Sequence, residues 1–125
     1  MARILVVDDE QETREFISEF LELRGYQVLT AANGLEAISA VKSERPHIVL
    51  LDIRMPGLDG LEALQRIRAI DKEVGVIMVT AVKDEKIGEY ALKLGACDYI
   101  TKPIDLDDME KSVYAKLLMM TSASA

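Results

Sequence analysis

Five residues with the right chemistry to act on one anion lie far apart in this chain: Asp8, Asp9, Asp52, Thr80 and Lys102. Three carboxylates brought together without help repel one another, so that one protonates or the group spreads. A hard divalent cation removes that difficulty. Mg²⁺ favours one or two carboxylates, waters and a phosphate oxygen in octahedral geometry. The main-chain carbonyl of Arg54, two residues past Asp52, could complete the protein's share of ligands. Lys102 then supplies a point charge for a phosphoryl oxygen, and Thr80 a hydroxyl donor. These side chains suit a metal-dependent site for a phosphoryl anion, with Asp52 as the working residue.

Such a reading requires a fold that gathers the five. Ile48-Val49-Leu50-Leu51 runs without a polar break and stops at Asp52, which is how a central strand of a parallel sheet reads when both faces are covered. Ile4-Leu5-Val6-Val7 is a second all-apolar strand and stops at Asp8-Asp9. Val28 to Ala31 is a short strand, Val76 to Thr80 a buried one that ends on a hydroxyl, and Asp98 to Thr101 a short last one before Lys102-Pro103. Between them lie amphipathic helices. Phe16, Ile17, Phe20 and Leu21 recur at helical spacing from Gln11 to Arg24, and Leu35, Ala37, Ile38 and Val41 mark the second helix. Leu61, Leu64 and Ile67 mark the third, and Ile87, Ala91 and Leu94 the fourth, with Asp84 as its cap. Asp105 caps a fifth carrying Leu106, Met109, Val113 and Leu117. Gly25 and Gly95 end the first and fourth helices, and Pro56-Gly57 fixes the bend after Asp52.

Five strand–helix alternations with right-handed crossovers give an α/β fold, a (βα)5 doubly wound parallel sheet with helices on both faces. All strand carboxyl ends then lie on one edge, where α/β sheets bind ligands. The five dispersed residues converge there. The 125-residue chain reads as one domain over 1–120 with a tail at 121–125 that frays. A net charge of −7 argues against binding to DNA or an anionic membrane, but admits cations. No apolar run approaches a membrane span or a signal peptide, and the single Cys97 forms no internal disulfide, so the expected compartment is the cytoplasm. Cys97 is expected to be a small buried hydrophobe. His47, at the opposite end of the central strand, is expected at the surface or in packing.

Four stretches together, Ile4 to Glu10 (ILVVDDE), Val49 to Gly60 (VLLDIRMPGLDG), Val79-Thr80-Ala81 and Asp98 to Pro103 (DYITKP), resemble the receiver domain of two-component response regulators. The resemblance spans essentially the whole chain and is nearest to stand-alone regulators of the sporulation-phosphorelay type and to nitrogen-regulator-type receivers. It implies a flavodoxin-like sheet in the order 2-1-3-4-5, which the sequence pattern itself does not give. It implies that Asp52 is phosphorylated and that Asp8, Asp9, Asp52 and the Arg54 carbonyl hold Mg²⁺. Lys102 would contact the phosphoryl group, Thr80 would move toward it, and Tyr99 would turn inward in step. Ala81 would leave room for the phosphoryl group, and Pro103 would follow a cis peptide bond. Arg54 and Val82 occupy places that vary among relatives and influence the lifetime of the phosphate. The implied partners are a sensor histidine kinase or a histidine phosphotransfer protein upstream and an output protein or domain downstream. Phosphorylation-dependent dimerisation stays open, as does the choice between a stand-alone regulator and a receiver from a longer protein.

Blander readings exist for each residue. Asp8 or Asp9 alone would serve as a helix cap, Thr80 as a strand end and Tyr99 as core, while Asp59 and Gly60 read as turn and helix start. The combination of Asp8, Asp9, Asp52 and Lys102 favours chemistry. A phosphatase of the haloacid dehalogenase type also uses a strand-end Asp, Mg²⁺, a hydroxyl and a Lys, but it wants an acid two positions after the nucleophile, where Arg54 stands. A degenerate receiver that only binds proteins would not need the complete set. Neither G-x-G-x-x-G nor G-x-x-x-x-G-K occurs, which sets nucleotide-binding routes aside.

Overall fold

The computed structural model describes the backbone of residues 2–124 and the side chains of residues 2–121. The elements follow in strict alternation: β1 (Arg3–Val7), α1 (Gln11–Leu23), β2 (Gln27–Ala31), α2 (Gly34–Glu44), β3 (Ile48–Leu51), α3 (Gly60–Ile70), β4 (Gly75–Thr80), α4 (Glu85–Lys93), β5 (Asp98–Thr101) and α5 (Leu106–Ser124). The strands form one parallel sheet in the order β2-β1-β3-β4-β5. The chain order therefore reverses between β1 and β3, the switch point at which an α/β sheet opens a crevice.

Alternation along each strand sorts the core into two layers. Leu5, Val7, Val49, Leu51, Val76 and Met78 face Ala37 and Val41 of α2, Ala63, Leu64 and Ile67 of α3 and Ala91 of α4. Ile4, Val6, Ile48, Leu50, Ile77 and Val79 face Ile17 and Leu21 of α1 and Met109 and Val113 of α5. Both faces of β1, β3 and β4 are covered, which is why these strands carry unbroken apolar runs.

Turn chemistry sets the element ends. Asn33, Asp59 and Asp84 each accept a main-chain N–H from the first turn of their helix, and Asp105 accepts from both Asp107 and Asp108. Gly25, Gly57 and Gly95 have φ of +91, +80 and +110, values that a side chain would strain. At the end of α2 it is Arg45 that takes the left-handed conformation, with φ of 48, and its guanidinium pairs with Asp71. His47 closes the far edge of the sheet: its Nδ1 accepts the Arg3 N–H at 2.9 Å.

Four expectations are corrected. Phe16 and Leu35 share their helices' apolar spacing yet are 54% and 65% exposed, because each sits at the margin of its stripe rather than over the sheet. Cys97 is exposed rather than buried, with its thiol donating to the Val76 carbonyl where the chain enters β5. Helix α5 continues through Ser124, four residues past the point where the sequence reading ends the domain, and Ala125 lies outside the described residues.

Candidate functional site

Strand register brings the dispersed residues together. Val7 pairs with Leu51 across β1 and β3, so the residues that follow, Asp8 and Asp52, leave the sheet side by side. The ladder extends one step further, with the Asp52 N–H donating to the Val7 carbonyl at 3.2 Å. Thr80 pairs with Thr101, so Lys102 leaves β5 beside the end of β4, and its N–H donates to the Thr80 carbonyl at 2.8 Å. Across this rim the Lys102 ammonium donates to Asp8 Oδ2 at 2.7 Å and to Asp52 Oδ2 at 2.9 Å.

Asp52 is 5% exposed. Its Oδ2 is held by Lys102, and its Oδ1 accepts a long 3.3 Å bond from the Arg54 N–H. Behind it Gly60 packs against the strand end so closely that a Cβ there would lie 2.0 Å from the Asp52 carbonyl oxygen. The Gly60 N–H donates to the Ile53 carbonyl at 2.8 Å, which closes the intervening loop onto the strand.

All of Asp8's polar atoms are in hydrogen bonds. Its N–H donates to the Ala31 carbonyl, its own carbonyl accepts from Arg14, Oδ1 accepts from the Glu10 N–H, and Oδ2 accepts from Lys102. Asp9 and Glu10 are exposed, and one oxygen from each of Asp8, Asp9 and Glu10 falls within 4.8 Å of the others. Asp52 joins this trio through the shared ammonium.

Two buried carboxylates around one amine leave the rim short of positive charge. Burial lifts the Asp8 carboxyl above the usual carboxylate range, and the Lys102 hydrogen bond offsets only part of that lift. For Lys102 burial works toward a lower value, but the bonds and charges of Asp8 and Asp52 outweigh it and hold the ammonium above the ordinary lysine value.

Thr80 is fully buried, and its Oγ1 accepts the Val82 N–H at 3.3 Å. The Val82 carbonyl in turn accepts the Tyr99 hydroxyl at 2.6 Å. The Tyr99 ring lies over Gly88 of α4. Ala81 and Pro103 are exposed at the mouth, and the Lys102–Pro103 peptide bond is cis.

Residues 4–114 match the family model described as response regulator receiver domain. The chain belongs to the response regulator receiver domain family. Among curated relatives, the sporulation initiation phosphotransferase F of Bacillus subtilis is 40% identical over 111 residues, covering 89% of this chain and 90% of that protein. The regulatory protein AtoC of Escherichia coli is 38% identical, covering 95% of this chain but 26% of that protein. The crystal structure of a CheY-like receiver domain protein from Methanospirillum hungatei superposes with a TM-score of 0.95 at 29% identity, covering 98% of both chains.

Within this receiver domain, three contributors were not singled out for the site from sequence. Glu10 follows the acid pair directly and completes the carboxylate trio. Gly60 matters through close approach, which its place eight residues after Asp52 in a turn does not reveal. Arg14 acts through the main-chain carbonyl of Asp8, and such a partner leaves no mark in the pattern of side chains.

Proposed function

We propose that Asp52 accepts a phosphoryl group from a phosphohistidine on a sensor kinase or phosphotransfer protein, or from a small acyl phosphate, and that the modified domain then alters its contacts with an output protein. The observation that carries this reading is the single Lys102 ammonium bound to both Asp8 and Asp52 at the switch point of the sheet. A merely structural pair would not need a second buried acid.

The donor set fits a hard cation. Asp8, Asp9 and Asp52 offer carboxylate oxygens and Arg54 a main-chain oxygen, with no nitrogen or sulfur among them, and the burial-raised Asp8 carboxyl marks a rim that lacks positive charge. Mg²⁺ bound there would neutralise charge on the phosphoryl oxygens.

Asp52 Oδ1, the more lightly held oxygen, attacks phosphorus as the bond from phosphorus to the donor nitrogen breaks, and the imidazole leaves with the electron pair and takes up a proton. Lys102 shifts from the carboxylates to a phosphoryl oxygen, so charge is met as it develops. Water attacking the same phosphorus later restores the carboxylate and releases phosphate. Beyond its own phosphorylation and dephosphorylation the domain carries out no chemistry. A groove of about 420 Å³, walled by Glu12, Thr13, Phe16, Pro103 and Ile104, opens beside Lys102 and gives a donor protein a place to grip. The exposed Phe16 has a use on that wall.

Drawn toward the new phosphate to donate its proton, the Thr80 hydroxyl pulls on the bond it accepts from the Val82 N–H, and the Val82 carbonyl carries that change to Tyr99. The surface around α4, β5 and α5 is then the output face. We place the domain in the cytoplasm, with no direct contact with nucleic acid.

The test is intact-mass spectrometry after incubation with acetyl phosphate. One phosphoryl adduct in Mg²⁺, none in chelator and none in Asp52→Asn is expected. An adduct of equal yield in Asp52→Asn would remove the reading.

A further inference from the structure

Arg14 projects from the second turn of α1 back toward the β1 exit, half-buried, and its guanidinium donates to the Asp8 main-chain carbonyl at 2.7 Å. The contact differs in kind from that of Lys102. Lys102 occupies carboxylate oxygens, Asp8 Oδ2 and Asp52 Oδ2, and so competes with any cation for them. Arg14 takes a peptide oxygen and occupies no carboxylate oxygen of the loop.

The loop it holds has little else to fix it on the helix side. At the N-terminus of α1 the cap residue is Glu10, and no side-chain cap bond forms there, in contrast to the capped starts of α2, α3 and α4. The Asp8–Asp9 peptide is therefore set by two contacts: Asp8 Oδ1 accepting from the Glu10 N–H, and Arg14 on the Asp8 carbonyl. Rotation of that peptide would turn Asp9 away from Asp8 and disperse the trio of acids.

We propose that Arg14 is a positioning residue that locks the Asp8–Asp9 peptide so that both carboxylates converge on one divalent cation. This rests on the cation-binding reading above and deepens it. Outer partners that orient metal ligands commonly matter tenfold or more for affinity.

The sign of the effect makes the proposal testable. A guanidinium acting through charge alone repels a cation, so removing it would tighten binding. A guanidinium acting through position does the opposite. The experiment is isothermal titration of Mg²⁺ into the full chain as wild type, Arg14→Lys and Arg14→Met, with thermal melts in chelator for each. Mg²⁺ affinity is expected to fall about tenfold in Arg14→Met and by less in Arg14→Lys, which keeps the charge and one donor. Both variants are expected to keep a cooperative melt. Wild-type or tighter affinity in both variants would overturn the proposal while leaving the cation site intact. Wild type failing to bind Mg²⁺ would instead overturn the cation reading, and this proposal with it. Should Arg14→Met not fold, Arg14→Lys decides alone, with unchanged affinity counting against the proposal.

Discussion

The Tyr99 hydroxyl donates to the Val82 carbonyl at 2.6 Å, and the N–H of the same Val82 donates to Thr80 Oγ1 at 3.3 Å. One residue's two main-chain groups therefore connect the buried hydroxyl at the end of β4 to the aromatic of β5. In the proposed switch, movement of Thr80 reaches Tyr99 through these two bonds.

Tyr99→Phe removes that latch without opening a cavity. A loss of about 1 kcal/mol in chemical denaturation is expected, with faster amide exchange at Val82 and Lys83. Burial holds the Tyr99 phenol above its ordinary value of 10.0, with help from the charges of Asp84 and Asp52. A raised folded value means that the latch is fully present below pH 10 and lost only as pH rises through the higher folded value. The difference between wild type and Tyr99→Phe should therefore be flat from pH 6 to 9.

Gly60→Ala tests the seat of Asp52. A Cβ at 2.0 Å from the Asp52 carbonyl oxygen and 2.6 Å from Ile53 Cα meets backbone, which cannot rotate away. Destabilisation of about 2–3 kcal/mol is expected, with slower phosphorylation from acetyl phosphate. Gly25→Ala is the control. It has open space but a φ of +91, so about 1 kcal/mol of stability should go with no change in rate.

Asp8→Asn should stabilise the metal-free protein. Burial lifts the Asp8 carboxyl above its ordinary 3.8, so the folded state holds that proton more tightly than the unfolded one. The associated stability is present below the unfolded value and lost as pH rises through the folded one, which leaves a penalty at pH 7. In chelator the Asn variant should melt above wild type at pH 7, with the gap closing toward pH 4. Mg²⁺ should reverse the order, since at a hundredfold excess over Kd it adds about 2.7 kcal/mol to wild type.

Lys102→Met leaves Asp8 and Asp52 buried, with side chains 3% and 7% exposed, around a missing charge. At pH 7 in chelator a loss of about 3 kcal/mol is expected, shrinking as acid protonates the carboxylates. Phosphorylation should slow about a hundredfold, as when one charge-stabilising donor is removed. Mg²⁺ affinity should rise, because no ammonium then competes for the Oδ2 atoms.

The strands and the rim were readable from sequence because a run of only four or so apolar, largely β-branched residues suits a strand covered on both faces better than a helix, and each such run stops at a polar residue of the edge. Ile4 to Val7 before Asp8, and Ile48 to Leu51 before Asp52, are the two that define the switch point. The helix faces were less readable. A stripe at helical spacing does not say which margin overhangs the sheet, so Phe16 and Leu35 read the same as Ile17 and Ala37 although they are exposed. Cys97 was misread because small and apolar suits a turn into an edge strand as well as a core. Arg14 stayed invisible, since a bond to a main-chain carbonyl demands nothing of the partner's side chain.

The most direct measurement is borohydride trapping of the phosphorylated protein followed by peptide sequencing. One hydride displaces phosphate at the acyl carbon, a second with a proton reduces the resulting aldehyde, and homoserine is left in place of an aspartyl phosphate. Homoserine at position 52, formed only when Mg²⁺ and phosphodonor are both supplied, is the expected result. Homoserine at position 8 or 9 with an unmodified Asp52, or a phosphate stable to borohydride, would contradict a receiver switch built on Asp52.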